Sequence, residues 1–182
     1  MDERRVRDPA DQSDERLWGS FVDGDDGALL VLERRYRAEL FWYLLLSMGK
    51  QDAAARALRS TWTLLVGFRA PFEGFGSFRS WLYAVATQNA IPATHPDTFG
   101  LTDLIDDLKR GTSTTERGRL FYHVVDTARA LRQPFLLVTL AGLSVEEAAK
   151  VCNFTVERAW RAVEKAYVSM AQAGRREAAN TP

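Results

Sequence analysis

The first long segment with a regular hydrophobic pattern begins near Asp26, and it predicts an amphipathic helix. Apolar side chains recur there at steps of three and four residues, while glutamate and arginine occupy the opposite side. Asp25 or Asp26 can cap the start of this helix, and Gly49 can end it. The apolar positions are Leu29, Leu30, Leu32, Tyr36, Leu40, Phe41, Tyr43 and Leu44.

Two further helices are predicted in the first half of the chain. One opens at Asp52 and runs through an alanine-rich stretch to Val66, because alanine is the best helix former. Residues 69–76 include two glycines and a proline, so we expect a loop there. Ser77 can cap the next helix, which has to stop before Pro92.

The pattern changes over residues 92–118, where prolines, glycines and a run of threonine and serine interrupt it. This composition predicts a linker, in which only Leu101 to Lys109 could form a short helix. Beyond the linker, Leu120 to Leu131 is predicted to be helical. Pro134 suits the first position of the following helix, which is expected to run to about Ala141.

The strongest local signal lies near the end of the chain. Ser144 and Glu147 form a capping box at the start of a short helix, Val145 to Cys152. Asn153 tolerates the left-handed conformation that a tight turn between helices needs. Thr155 can cap a second, longer helix. A short capped helix, a tight turn and a longer helix predict a helix-turn-helix.

The second helix of this unit carries basic side chains on one face. Arg158, Arg161 and Lys165 are spaced by three and four residues, and Trp160 lies beside them. Such a face fits a DNA major groove, where arginine pairs with guanine or with phosphates. The alternative is a solvated helix face. The residues expected to turn inward are Ala159, Ala162, Val163, Ala166 and Tyr167.

No stretch alternates in the manner of a β-strand, so the sequence predicts an all-α protein with two small helical domains joined by a linker. We expect residues 1–24 to be a flexible N-terminus and residues 174–182 to be a tail. The remaining ranges are a helical domain at 25–91, the linker at 92–118 and a helix-turn-helix domain at 119–173.

Composition narrows the possible functions of the chain. Its 182 residues include 24 basic and 24 acidic side chains, so binding through a strongly basic whole molecule is excluded, although a local basic patch is not. The single cysteine, Cys152, excludes a disulfide framework. The start of the chain does not have the pattern of a signal peptide, and no run is long enough for a membrane span. We therefore expect a cytoplasmic protein with no membrane insertion.

The residues that would carry catalysis or bind a cofactor are missing from the sequence. The two histidines, His95 and His123, have no companion at metal-ligand spacing. Asp23, Asp25 and Asp26 suggest a calcium loop, but helix capping explains them better. We expect no enzyme activity, no metal and no cofactor.

Two motifs at a particular separation lead to a family. The stretch GSFRSWLYAVATQN, which ends at Asn89, is similar to GSFRAWLYRIARN in the first domain of the extracytoplasmic-function (ECF) sigma factors of bacterial RNA polymerase. The stretch that contains GLSVEEAA, from Ala130 to Ala149, resembles the terminal helix-turn-helix of the same family. The resemblance covers roughly residues 30–173.

This resemblance implies that the protein binds core RNA polymerase and promoter DNA and directs transcription initiation, with an anti-sigma factor as a further partner. The implied −35-type recognition helix presents Thr155, Arg158, Trp160, Arg161 and Lys165. The implied −10-type surface uses Phe72, Phe75, Ser77, Arg79 and Asn89, although both phenylalanines could instead cover the core and Asn89 could cap its helix. The implied polymerase contacts are Asp52, Arg56, Arg59 and Trp62.

The sequence departs from the family at the polymerase surface. Family members present acids and a glutamine there, as in DAEDLVQETF, whereas this chain has Arg56 and Arg59 at two of those positions. Arginines opposite a basic surface turn attraction into repulsion. The residues after Asn89 also lack the arginine pair of the family. A sigma-factor mimic that binds an anti-sigma factor without reading a promoter is therefore an alternative, and a dimeric helix-turn-helix repressor is a second one.

Overall fold

A computed structural model of the chain describes residues 12–69, 72, 74–90 and 129–179, and this part of the protein is all-helical, as predicted. Several predicted features lie outside the described residues. They are the linker at 92–118 with its possible short helix from Leu101 to Lys109, both histidines, and most of the helix predicted over Leu120 to Leu131. The helices are α1 (Asp14–Val22), α2 (Asp26–Met48), α3 (Gln51–Phe68), α4 (Phe78–Asn89), α5 (Arg129–Thr139), α6 (Val145–Cys152) and α7 (Val156–Ala179).

Local capping signals set most of the helix boundaries where the sequence predicts them. The side chain of Asp25 accepts a hydrogen bond from the Gly27 amide at 2.9 Å at the start of α2. Gly49 ends that helix in the left-handed conformation, with φ of 73°. Ser77 caps α4 by accepting from the Ser80 amide at 3.1 Å.

The fold corrects three expectations. Helix α1 lies within the range expected to be a flexible terminus, and Ser13 caps it. Pro134 does not begin a helix but lies inside α5. The helix continues through it although proline cannot donate a backbone hydrogen bond. Helix α5 ends at Thr139 rather than near Ala141, and Gly142 follows with φ of 62°.

A cluster of aromatic side chains forms the centre of the N-terminal helices α1–α4. Trp18 of α1 contacts Phe78 of α4, with 5.5 Å between ring centroids, and Tyr36 of α2 also packs on Phe78. All three are almost fully buried. Burying a large apolar side chain contributes about 1.5–3 kcal/mol, so this cluster contributes much of the free energy that holds α1 against α2 and α4.

The C-terminal helices pack through small residues. Ala148 and Ala149 of α6 and Ala159 and Ala162 of α7 are buried, which allows the two helices to approach closely. Helix α5 packs along α7, and the Phe135 ring meets the edge of a tyrosine ring of α7 at 5.2 Å.

The N-terminal and C-terminal helices contact each other directly. Helix α6 packs on α4, and α5 packs on α2, so the buried apolar residues of both groups form one continuous core. Arg132 of α5 is buried and donates from Nη2 to the Ser47 carbonyl of α2 at 3.0 Å. The division into two domains stays a prediction.

Candidate nucleic-acid and protein interfaces

The first candidate surface is the outer face of α7, formed by Thr155, Arg158, Trp160, Arg161 and Lys165; we call it the α7 face. All five side chains are exposed, and 57% of Trp160 is accessible. The Thr155 hydroxyl accepts from the Arg158 amide at 3.2 Å and so caps the start of the helix. The structure thus brings together the residues that the sequence predicts for a recognition helix.

Two of the cations on the α7 face are held by neighbouring side chains. Arg161 forms an ion pair with Glu157 one turn earlier, and the guanidinium of Arg158 lies 3.8 Å from the centroid of the Phe154 ring. Both members of the ion pair are about 70% exposed, so the pair contributes little free energy and Arg161 can exchange it for a phosphate. The face is therefore available to a charged ligand.

The α7 face also has an apolar side. Val156 and Trp160 are exposed, as are Tyr167 and Val168 further along the helix. Tyr167 is 52% exposed, which corrects the expectation that it turns inward, although its ring still contacts Phe135.

The second candidate surface is the start of α4, and α6 covers it. The carboxylate of Glu147 accepts hydrogen bonds from the Ser77 and Ser80 hydroxyls of α4 as well as from the Ser144 amide of its own capping box. We call these bonds between Glu147 and the two serines the α4–α6 contact. Ser77, a predicted DNA-contacting residue, is thus engaged within the chain.

The environment of Glu147 lowers the pKa of its carboxyl group. Burial alone would raise the pKa of this carboxyl, but the hydrogen bonds that it accepts from Ser80, Ser144 and Ser77 outweigh burial and hold the pKa below its usual range. The carboxylate therefore stays charged at neutral pH, and it is the charged form that the serine hydroxyls stabilise.

Arg79 is engaged in the same region. Its Nη1 donates to Oε1 of Glu39 at 2.8 Å and to the Ala141 carbonyl at 2.6 Å, and its guanidinium lies over the Tyr36 ring. Ala141 lies just beyond α5, so Arg79 joins the N-terminal helices to the C-terminal helices. A predicted promoter contact serves here as an internal bridge.

The aromatic residues of the preceding loop pack on the core. The Phe72 ring stacks on Trp81, with 6.1 Å between centroids, and meets the Phe78 ring edge-on. Phe75 is half-buried against the same cluster. Of the two interpretations left open by the sequence, this placement is the one in which the phenylalanines cover the core. Their role in binding a base stays a prediction.

Asn89 at the end of α4 bonds to α3 and does not cap its own helix, while its predicted contact with a DNA base stays a prediction. Its Nδ2 donates to the Thr61 hydroxyl of α3 at 3.2 Å, and Ala90 rather than Asn89 occupies the C-cap position. The Thr61 hydroxyl in turn donates to the Ala57 carbonyl at 2.8 Å. Asn89 therefore ties α4 to α3.

The predicted polymerase contacts lie on α3. Asp52, Arg56 and Arg59 are exposed, and Trp62 is half-buried beside α2. The indole Nε1 of Trp62 is buried and meets no acceptor within the described part of the chain. The three charged residues and Trp62 thus lie along one surface of α3.

Several residues of the contact between the two helix groups were missed by sequence reasoning. Glu147 was expected only as a capping residue, while Glu39 and Arg132 were not singled out at all. Glu39 also accepts from the Tyr83 hydroxyl at 2.6 Å. Pairs such as Glu147 and Ser80 lie far apart in the chain, and a single sequence carries no signal for such a pairing.

Metal ligands and membrane-spanning segments can be assessed in the residues that the structure describes. Within them, no group of three histidine, cysteine, aspartate or glutamate side chains is placed to hold a metal ion. No helix in the same residues is long and apolar enough to span a membrane. Cys152 is half-buried, and burial raises the pKa of its thiol to about 12, which leaves it protonated and unreactive.

The fold has a known counterpart. It is similar to CnrH as seen in the structure of CnrH in complex with the cytosolic domain of CnrY, with a TM-score of 0.68 and 16% sequence identity. The similarity covers 93% of this chain and 100% of that chain. No protein-family model and no curated protein matches the sequence.

Proposed function

We propose that the protein is a sigma-like transcription regulator that binds core RNA polymerase and places α7 in the major groove of a −35-type promoter element. The two sequence motifs resemble those of ECF sigma factors, and the fold shared with CnrH, which was seen in complex with the cytosolic domain of CnrY, extends over nearly the whole chain. The observation that carries the proposal is the α7 face, which is capped, exposed and basic within that fold. Arg158 and Arg161 would contact guanine or phosphate there.

Because α6 covers the start of α4, the two DNA-binding surfaces would become available at different times. Ser77 bonds to Glu147 of α6, and Arg79 bonds to the Ala141 carbonyl between α5 and α6. A −10-type surface at this position would therefore require the α4–α6 contact to open first. The α7 face requires no such opening. A partner that favours the closed arrangement, as an anti-sigma factor would, keeps the two DNA surfaces from acting together.

Run-off transcription with core RNA polymerase and promoters of the host tests this function. The double variant Arg158→Ala and Arg161→Ala should lose promoter-specific transcript, with a loss of about 1–3 kcal/mol of discrimination for each base-contacting arginine. The matched control Arg16→Ala and Lys50→Ala removes two exposed charges away from α7 and should retain the transcript. Equal transcription by both double variants would contradict recognition by α7.

A second function is favoured by a specific observation. Arg56 and Arg59 are exposed and have no partner in the described structure, on the surface expected to meet a basic polymerase helix. A sigma-factor mimic that binds an anti-sigma factor needs neither polymerase nor promoter. Failure to co-purify with core polymerase, together with tight binding to an anti-sigma domain, would support this mimic instead.

A further inference from the structure

A groove runs along the outer surface between α2 and α3. Its floor is apolar and consists of side chains from both helices, namely Ala38, Phe41, Ala55, Leu58 and Trp62. These residues cover the core from outside, yet none of them is fully enclosed. The groove is therefore a surface on which further apolar groups can pack.

The apolar surface continues past both ends of the groove. Trp42 lies one turn beyond Ala38 on α2 and is 46% exposed, while Leu30 of α2 and Val66 of α3 are more than half exposed at the other end. The twelve-residue rise from Leu30 to Trp42 corresponds to about 18 Å. This length matches roughly three turns of a helix lying in the groove.

The rim of the groove is basic. Arg37 and Arg59 line it, and Arg34 and Arg56 lie one turn away on the same two helices. Glu33 also lines the groove, but it already accepts a hydrogen bond from Arg37 Nε at 2.6 Å.

The remaining charges leave the groove positive. With Asp52 counted as well, four arginines face two acids here, although the chain as a whole has no net charge. Arg34, Arg56 and Arg59 have no ion-pair partner in the described residues, so their charges are available to a ligand.

We propose that the α2–α3 groove binds an amphipathic helix of a partner protein whose apolar side is flanked by aspartate and glutamate. Packing of an apolar helix face on the groove floor would supply affinity, and the arginines on the rim would select acidic flanks. A basic helix would bring like charges next to Arg56 and Arg59. A nucleic-acid backbone would match the charges but would leave the apolar floor uncovered, so the helix is the better fit.

This inference rests on the second proposed function, the mimic that binds an anti-sigma factor, and it names the chemistry of the helix that α2 and α3 would bind. It does not depend on DNA recognition by α7. Its test therefore uses no transcription. The probe is a fluorescent synthetic helix of about sixteen residues, long enough to span the groove, with leucines at helical spacing and glutamates on both flanks. A second probe carries lysine in place of each glutamate.

Fluorescence anisotropy should show that the acidic probe binds the full-length chain at least about tenfold tighter than the basic probe, with weaker binding as salt is added. The variant Arg56→Glu and Arg59→Glu should reverse this order. The matched variant Arg16→Glu and Lys150→Glu, which changes two exposed cations away from the groove, should leave it unchanged. Because a double reversal could disturb folding, Arg56→Gln and Arg59→Gln provide a milder pair that should weaken the acidic probe by a smaller factor.

Several outcomes would overturn the proposal. One is tighter binding of the basic probe to the natural chain, and another is equal binding of both probes to it. A third is binding of a single-stranded or duplex oligonucleotide that competes with the probe and is lost in Arg56→Glu and Arg59→Glu, which would make the groove a nucleic-acid surface. Self-association in sedimentation that is lost in the same variant would make the occupant a second copy of the chain.

Discussion

The start of α4 and the outer face of α7 were both predicted to contact DNA, yet the first is covered by α6 and the second is exposed. At α4, Ser77 bonds to Glu147 and Arg79 bonds to the Ala141 carbonyl, so the surface is used inside the chain. At α7, among the described residues, Arg158 contacts Phe154 and Arg161 pairs with Glu157 one turn earlier, and the face is exposed.

The difference shows that a motif alone does not determine whether a surface is available. A helix start that is capped by a hydroxyl side chain, with an arginine nearby, occurs at both places. At α4 the packing of α6 has satisfied these groups, whereas at α7 solvent or a ligand has to satisfy them. The closed arrangement therefore makes access to the α4 surface conditional on an opening of the molecule, while access to α7 is not.

The largest expected effect comes from truncating one aromatic residue in each region. Phe78→Ala at the buried start of α4 should lower the free energy of unfolding by about 3–5 kcal/mol, because it leaves a cavity among packed rings. Trp160→Ala on the exposed α7 face should change it by less than about 0.5 kcal/mol. Urea unfolding followed by circular dichroism measures both. Similar losses in the two variants would contradict the difference between the regions.

A smaller effect is expected from removing one arginine at each place. Arg132→Ala eliminates a buried guanidinium that bonds to α2, and it should cost about 2 kcal/mol. Arg161→Ala eliminates an exposed ion pair and should cost less than about 1 kcal/mol. When the same unfolding experiment is run at several salt concentrations, added salt should reduce the effect of Arg161→Ala and leave the effect of Arg132→Ala unchanged.

The smallest effect concerns the α4–α6 contact. Glu147→Ala removes both the capping box and the bonds to α4, and it should cost about 1–2 kcal/mol. Because the pKa of Glu147 is lowered in the folded chain, its contribution is complete above the usual value of 4.5 and is lost as the pH falls through the folded pKa. Unfolding measured from neutral to acidic pH should therefore show a steeper loss in the natural chain than in Glu147→Gln.

Sequence reasoning succeeded where structure is determined locally. The caps at Asp25, Ser77 and Ser144 and the left-handed Asn153 each depend on residues within one helical turn, and the structure has them as predicted. Helix α1 could also have been predicted, because Leu17, Trp18 and Phe21 follow a helical spacing after the cap at Ser13.

Contacts between distant parts of the chain could not be predicted in this way. Glu147 and Ser80 are separated by 67 residues, and their pairing depends on how α6 settles on α4. The same limit applies to Pro134, which was placed at a helix start on local rules although the packing of α5 on α7 keeps it inside the helix. The exposure of the α7 face follows from its spacing, but the covering of the α4 surface does not.

Paramagnetic relaxation measured by nuclear magnetic resonance tests directly whether α6 covers the start of α4 in the free protein. A nitroxide label on Lys150→Cys, introduced together with Cys152→Ser, lies on the exposed side of α6. Packing of α6 on α4 should strongly broaden the amide signals of residues 78–82 in α4, relative to a diamagnetic label at the same position. Broadening confined to residues 129–179 would contradict it.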